Sequence, residues 1–152
     1  RKIKMKTIRF YKEFGEYGYL ATYSNHGFFK DGIYWKTSEH YYQAQKFFEP
    51  EVKLKIANAE TPKIASTIGR DRSLNLRSDW EEIKQDIMYD AVYFKFKQNE
   101  NILRKLLDTG NAELVEATVK ENYWGCGPNN DGQNNYGKIL VRVRKQLRTE
   151  QY

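Results

Sequence analysis

The feature that most constrains this chain is a run of apolar residues at helical spacing, opened by a capping acid. Asp79 precedes Trp80, Ile83, Ile87, Ala91 and Phe94. Steps of three and four put one stripe of a helix against a core. The segment therefore reads as the longest helix of the chain, capped by Asp79. The 152 residues fit one domain of ordinary size, and an apolar content of 39% supplies a core. No apolar run approaches the roughly 18–20 residues of a membrane span, so a transmembrane helix is excluded and no membrane partner is expected. Cys126 is the only cysteine, which excludes a disulfide scaffold. With two histidines and one cysteine, a histidine- or thiolate-based zinc site is not expected.

The rest of the chain is read from its turn and cap residues. Ile8–Tyr11 reads as a strand. Phe28–Trp35 reads as a hairpin turning on Asp31-Gly32. Thr37 and Ser38 are cap candidates for a helix from Glu39 to about Phe48, closed by Pro50. A second helix is expected over Glu51–Asn58. Thr61-Pro62 opens a third, which stops near Gly69. Glu100–Asp108 reads as a helix with Gly110 beyond its end, and Ala112–Thr118 as a strand. Gly125–Gly137 is a loop with four glycines and four asparagines. In the last segment Ile139, Val141 and Val143 alternate like a strand, while Ile139, Leu140, Val143 and Leu147 fit a helix. The stripe reaching Leu147 favours the helix. No internal repeat and no linker is found. The expected fold is α+β, a predominantly helical single domain over 8–148 with a few short strands, preceded by a basic tail over 1–7.

The net charge of +6 is concentrated at the ends. Arg1, Lys2, Lys4 and Lys6 lie at one end. Lys138, Arg142, Arg144, Lys145 and Arg148 lie at the other, and the middle is slightly acidic. The basic tail has no apolar core, so it does not read as a signal peptide. The opening Arg1 suggests a piece of a longer protein, or a natural start at Met5. A cytoplasmic setting is expected, and the oligomeric state is left open.

Three segments carry residues suited to chemistry. The first is the stretch from Thr37 to Phe48. On a helix Glu39, Tyr42, Gln43 and Lys46 share one face, while Tyr41, Ala44 and Phe48 can pack inward. Spacing alone leaves two readings open: a solvated charged face, or an acid, phenol, amide and amine gathered at a site. The second is Gly69-Arg70-Asp71-Arg72, where the arginines suit bidentate phosphate binding or a charged surface turn. The third is Tyr123-Trp124-Gly125-Cys126-Gly127 and the loop after it. There the tryptophan suits covering a ring, or merely anchoring a surface loop. The glycines suit close backbone approach to a phosphate, with the N-terminus of the following helix as an anion site. His26 and His40 read as structural. No dinucleotide-binding or phosphate-loop glycine motif is present.

Taken together these segments resemble a known family. Ser38-Glu39-His40-Tyr41-Tyr42-Gln43-Ala44-Gln45-Lys46-Phe47 is similar to the S-E-H-Y-F-Q-A-Q-K-F signature of the NADAR superfamily (NAD and ADP-ribose related), also called YbiA-like. Ser24-Asn25, Gly69-Arg70-Asp71, Trp80 at the head of the long helix, Leu114-Val115-Glu116, Tyr123-Trp124-Gly125-x-Gly127 and Asn135-x-Gly137 follow in the family's order. The resemblance covers roughly 8–148. It implies an N-glycosidase that hydrolyses the bond between ribose C1 and a base or amine nitrogen, without metal or organic cofactor. Two substrate classes are implied: ADP-ribose on guanine in DNA or RNA, and early riboflavin-pathway intermediates carrying a ribose phosphate. Of these, ADP-ribosylated nucleic acid is the first expectation. An ADP-ribose-binding module without turnover is the alternative from another class.

Such chemistry builds positive charge at C1 and negative charge on the leaving base. Glu39 is expected to stabilise the cation or activate water, and Glu121 to act as the acid. Several family members carry Asp where this chain has Glu121. Lys46 is expected either to hold a phosphate or to form a Schiff base with the opened sugar. Trp80 or Trp124 would stack on the base, Arg70 and Arg72 would meet phosphates, and Asn25 would bond a ribose hydroxyl. Tyr42, Gln43, Gly125, Gly127 and Asn135 complete the expected binding set.

Overall fold

The structure is a computed structural model that describes residues 5–151. Arg1, Lys2 and Lys4 of the expected basic tail therefore lie outside the described residues. In chain order the elements are β1 (Thr7–Phe10), a short 3-10 turn (Gly18–Leu20), β2 (Phe28–Lys30), β3 (Ile33–Trp35), α1 (Ser38–Ala44), α2 (Pro50–Ala57), α3 (Pro62–Gly69), α4 (Trp80–Gln98), α5 (Glu100–Asp108), β4 (Glu113–Glu116) and α6 (Asn135–Thr149). The architecture is α+β and predominantly helical, as the sequence predicts. The chain divides into two units, Thr22–Asn99 and Arg1–Ala21 with Glu100–Tyr152.

The Thr22–Asn99 unit holds the hairpin and four helices. Asp31 and Gly32 turn the hairpin with φ of 55° and 77°. Two positive φ values match the twist of flanking strands, so β2 and β3 pair with Phe28 opposite Trp35. Thr61 caps α3 by accepting from the Ile64 amide at 3.1 Å, and Pro62 takes the first helical position. α1 ends at Ala44, four residues before the expected Phe48. Phe48 does not pack inward: it is 63% exposed and lies under the Arg77 guanidinium, 4.3 Å from its ring centre. Pro50 opens α2 rather than merely ending α1.

α4 confirms the long helix but corrects its cap and its stripe. Asp79 holds the N-cap position without a side-chain cap bond. Its carboxylate is instead clamped by Arg77 at 2.7 and 3.0 Å. The deeply buried residues are Trp80, Met88, Ala91, Val92, Lys95 and Phe96, whereas Ile83, Ile87 and Phe94 are only half-buried. The reason is that the second half of the helix is covered. Ser38 on α1 donates to the Ala91 carbonyl at 2.6 Å, and Gln98 brackets the backbone of Phe29 in β2.

In the other unit β1 and β4 form a two-stranded parallel ladder, Thr7 opposite Glu113 and Phe10 opposite Glu116. Ile8, Phe10, Leu114 and Val115 are buried. α6 covers β4 so closely that a Cβ on Gly137 would lie 2.0 Å from the Leu114 carbonyl oxygen. The Asn134 amide ties the helix start to the strand, donating to Leu114 O at 2.9 Å and accepting from the Glu116 amide at 3.0 Å. This tie starts α6 at Asn135, four residues before the apolar pattern begins. The stripe Ile139, Leu140, Val143 and Leu147 is fully buried, and the Tyr136 hydroxyl donates to the Leu20 carbonyl.

Candidate active site

α1 starts where Thr37 accepts from the His40 amide at 3.2 Å. The same hydroxyl meets His40 Nδ1 at 2.8 Å, and His40 Nε2 lies 3.0 Å from the Ala59 carbonyl. Burial pushes the His40 imidazole below its ordinary range, so this ring is a buried strut. His26 likewise meets Ser24 Oγ at 3.1 Å. Every residue of α1 is buried. Of the two readings that spacing left open, the solvated charged face is thereby excluded.

A buried carboxylate is tolerable only when hydrogen-bonded. Glu39, 7% exposed, is bonded at both oxygens. Oε1 accepts from Thr22 Oγ1 at 2.8 Å, and Oε2 accepts from Gln43 Nε2 at 2.6 Å. Gln43 follows one helical turn later, which is why its amide reaches the same carboxylate. Gly69, the last residue of α3, packs against Gln43. A Cβ there would lie 2.1 Å from Gln43 Oε1 and 2.8 Å from Gln43 Cβ. Only a residue without a side chain lets α3 lie this close to α1.

Lys46 follows the end of α1, its amide donating to the Gln43 carbonyl at 3.2 Å. Its Nζ donates to the Gly69 carbonyl at 3.4 Å. It lies 5.8 Å from the Tyr42 ring centre and 5.9 Å from that of Trp80, and these rings meet edge-on at 5.1 Å. Burial pushes the amine down to about 8, the Glu39 charge works against that fall, and the Arg70 charge adds to it. A lysine so placed gives up its proton far more readily than one in water.

The remaining expected residues of this unit are arranged around that pair in different ways. Trp80 is only 6% exposed and forms a wall beside Lys46 rather than an open stacking surface. Arg70 caps the end of α3 and is exposed, as are Arg72 and Asn25. Of the two arginines, Arg70 is close enough to act on Lys46. Thr22, whose hydroxyl holds the Glu39 carboxylate, is the residue of this arrangement that sequence reading missed. It stands far from Glu39 in the chain, and no spacing rule links them.

The other expected residues belong to the second unit. Glu121 Oε1 accepts from the amides of Tyr123 and Trp124 at 2.9 and 3.3 Å. The carboxylate thus shapes the turn that presents Trp124, which is half-buried and edge-on to Tyr123 at 4.8 Å. The glycine loop departs from its expected use. The amides of Cys126 and Gly127 donate to the carbonyls of Glu116 and Thr118 at 2.8 and 3.2 Å. A Cβ on Gly125 would face the carbonyl oxygens of Glu116, Glu121 and Thr118 at 3.1–3.2 Å. The amides of Asn135 and Tyr136, which open α6, donate to Tyr123 and Trp124 carbonyls at 3.1 and 3.0 Å. The expected open anion site at this helix start is therefore filled by the chain's own carbonyls.

Among the described residues, no group of three or more His, Cys, Asp or Glu side chains is placed to hold a metal ion, and no helix is long and apolar enough to cross a membrane.

Comparison with known proteins identifies the family. The family model of the NADAR domain matches residues 9–148. The protein named N-glycosidase Npun_R5314 of Nostoc punctiforme is 42% identical over 145 residues, covering 93% of each chain. N-glycosidase YbiA of Escherichia coli is 39% identical over 143 residues, covering 94% of this chain and 89% of that one. Its solution NMR structure superposes with a TM-score of 0.89 at 38% identity, covering 98% of this chain and 89% of that one. A riboflavin biosynthesis protein of Vibrio vulnificus is 37% identical over 145 residues, which are 95% of this chain and 40% of that longer protein. The chain belongs to the NADAR domain family and is a hydrolase of its N-glycosidase kind.

Proposed function

We propose that the enzyme hydrolyses the C1–N bond of a small ribose-phosphate N-glycoside, an early intermediate of the riboflavin pathway. The observation that carries the mechanism is the buried Glu39 carboxylate, held at both oxygens beside a lysine whose proton is loosened. As the C1–N bond lengthens, C1 gains positive charge and the base nitrogen gains the bonding pair. Glu39 lies ready to stabilise that cation electrostatically, in a site where burial makes a fixed charge effective. Water then adds to C1, giving free ribose phosphate and the protonated base. Arg70, exposed at the end of α3 and within electrostatic reach of Lys46, suits the phosphate. Asn25 and Arg72 are exposed and suit the ribose hydroxyls and the phosphate. Glu121 is proposed to set the Trp124 turn.

The sequence ranks ADP-ribosylated guanine in nucleic acid first; two findings support the reverse order. The amides that would hold a diphosphate at the start of α6 are already bonded. A relative whose own name places it in riboflavin biosynthesis matches over nearly the whole of this chain. One observation favours the nucleic-acid reading: Lys138, Arg142 and Lys145 are all exposed along one side of α6, a stripe suited to a phosphate backbone. The deciding experiment incubates the protein with the ribose-phosphate intermediate and with DNA bearing ADP-ribosylated guanine. Released ribose phosphate and ADP-ribose are measured by mass spectrometry at physiological salt. A higher kcat/KM on the intermediate is expected. Release of ADP-ribose from DNA without cleavage of the intermediate would overturn the proposal.

A further inference from the structure

Resting on that reading of Glu39, we infer that Thr22 is a positioning residue for the hydrolysis. Thr22 holds Glu39 twice. Its backbone carbonyl accepts from the Glu39 amide at 3.1 Å, one of the first-turn donors that a helix leaves without an internal partner. Its hydroxyl donates to Glu39 Oε1 at 2.8 Å. The first contact fixes where α1 begins. The second fixes how the carboxylate is turned.

The hydroxyl contact matters because the carboxylate has few other ways to be aimed. Glu39 is the second residue of α1, and its side chain has three rotatable bonds. Gln43 Nε2 holds Oε2 at 2.6 Å, but one bond still allows the carboxylate to swing about it. A second donor on the other oxygen removes that freedom. Thr22 is a stiff donor, because branching at Cβ restricts its first side-chain torsion. Each donor thus holds one of the two carboxylate oxygens. Thr22 therefore keeps the negative charge in one place while charge develops at C1. Such orientation is worth most when it is set before the reaction starts.

The consequence is a rate effect without a binding effect. The closing experiment compares Thr22→Val, which keeps the shape and removes the hydroxyl, with Thr22→Ser, which keeps the hydroxyl. Both retain the backbone carbonyl that anchors α1. With the ribose-phosphate intermediate as substrate, Thr22→Val should lose about tenfold in kcat, the scale of one hydrogen bond to a charged group, with KM within about twofold of the parent. Thr22→Ser should recover most of that loss. A second readout needs no turnover. In protein labelled with 13C at glutamate Cδ, the Glu39 resonance is identified by its loss in Glu39→Gln. It should move in Thr22→Val and return in Thr22→Ser. A parent-like kcat in Thr22→Val, a loss that serine does not restore, or an unmoved Glu39 resonance would overturn the inference. Glu39→Gln separates the two levels. If it is inactive while Thr22→Val is parent-like, only the positioning role fails. If Glu39→Gln is fully active, the reading of Glu39 itself fails.

Discussion

Lys95 offers a measurement of how far burial of charge limits this fold. It lies on α4 with no exposed surface, and its Nζ is 5.0 Å from the Phe96 ring centre. Burial pushes its amine from 10.5 down to about 7. The unfolded chain keeps that proton up to the ordinary lysine range, so between pH 7 and 10.5 it binds more protons than the folded chain. Raising the pH through this window therefore stabilises the fold. The penalty relative to a side chain that never ionises is about 4 kcal/mol at pH 7 and about 2 kcal/mol at pH 9, from roughly 1.4 kcal/mol per pKa unit. Lys95→Met keeps the length and removes the charge. Urea unfolding of parent and variant at pH 7, 8 and 9 measures the difference directly. The difference in stability between variant and parent should shift by about 2 kcal/mol in the parent's favour from pH 7 to pH 9. Comparing the pair at each pH cancels the other titrating groups. A difference that stays constant across these pH values would refute the reasoning.

Three further outcomes are expected. Glu39→Gln should remain folded, since the amide still fits, and should lose about 100-fold or more in kcat, measured against the ribose-phosphate intermediate. Lys46→Arg should retain much of the rate if the amine only neutralises phosphate. If the amine forms an imine with C1 of the opened sugar, Lys46→Arg should be inactive and borohydride should trap a sugar adduct on the parent enzyme, read by mass spectrometry. In the imine case kcat/KM should also rise with pH through about 8, because the free amine is the reacting form. Gly69→Ala should push Gln43 off the Glu39 carboxylate, since the new methyl would lie 2.1 Å from Gln43 Oε1. Circular dichroism melting and kcat should both fall, by about 1–3 kcal/mol in stability.

What was legible in the sequence depended on whether the signal was local. Thr61-Pro62 announced α3 because cap and first-turn residues act within four positions. Asp31-Gly32 announced the hairpin because positive φ is a property of those residues alone. Glu39 and Lys46 stood out because the motif around them is contiguous. Failures came where a partner outside the motif intervened. Asp79 did not cap α4 because Arg77 holds its carboxylate. The stripe on α4 shifted towards Met88, Val92 and Phe96 because α1 and β2 cover the second half of that helix. The glycine loop looked like a phosphate cradle because sequence shows free amides, whereas in the fold the carbonyls of Glu116 and Thr118 already accept from them. Thr22 was invisible for the same reason: its role exists only once α1 is docked beside it.

The early end of α1 bears directly on the proposed chemistry. Had the helix continued to Phe48, as its spacing suggests, Lys46 would have followed Glu39 at two full turns along one face. Instead the helix stops at Ala44, and a tight turn returns the Lys46 amide to the Gln43 carbonyl at 3.2 Å. That turn brings Nζ to the Gly69 carbonyl and beside the Tyr42 and Trp80 rings. Glu39 is meanwhile satisfied by two neutral donors, Thr22 and Gln43. Each charge thus has neutral partners. A tight mutual ion pair would favour the protonated amine and draw the carboxylate away from substrate. In the proposed mechanism, holding the carboxylate with neutral donors leaves its charge for the developing cation. Partial burial at the turn keeps the lysine close to losing its proton. The short helix and the turn after it therefore hold a fixed carboxylate near a lysine whose proton is loosened, and Gly69, by omitting a side chain, lets α3 lie close against Gln43.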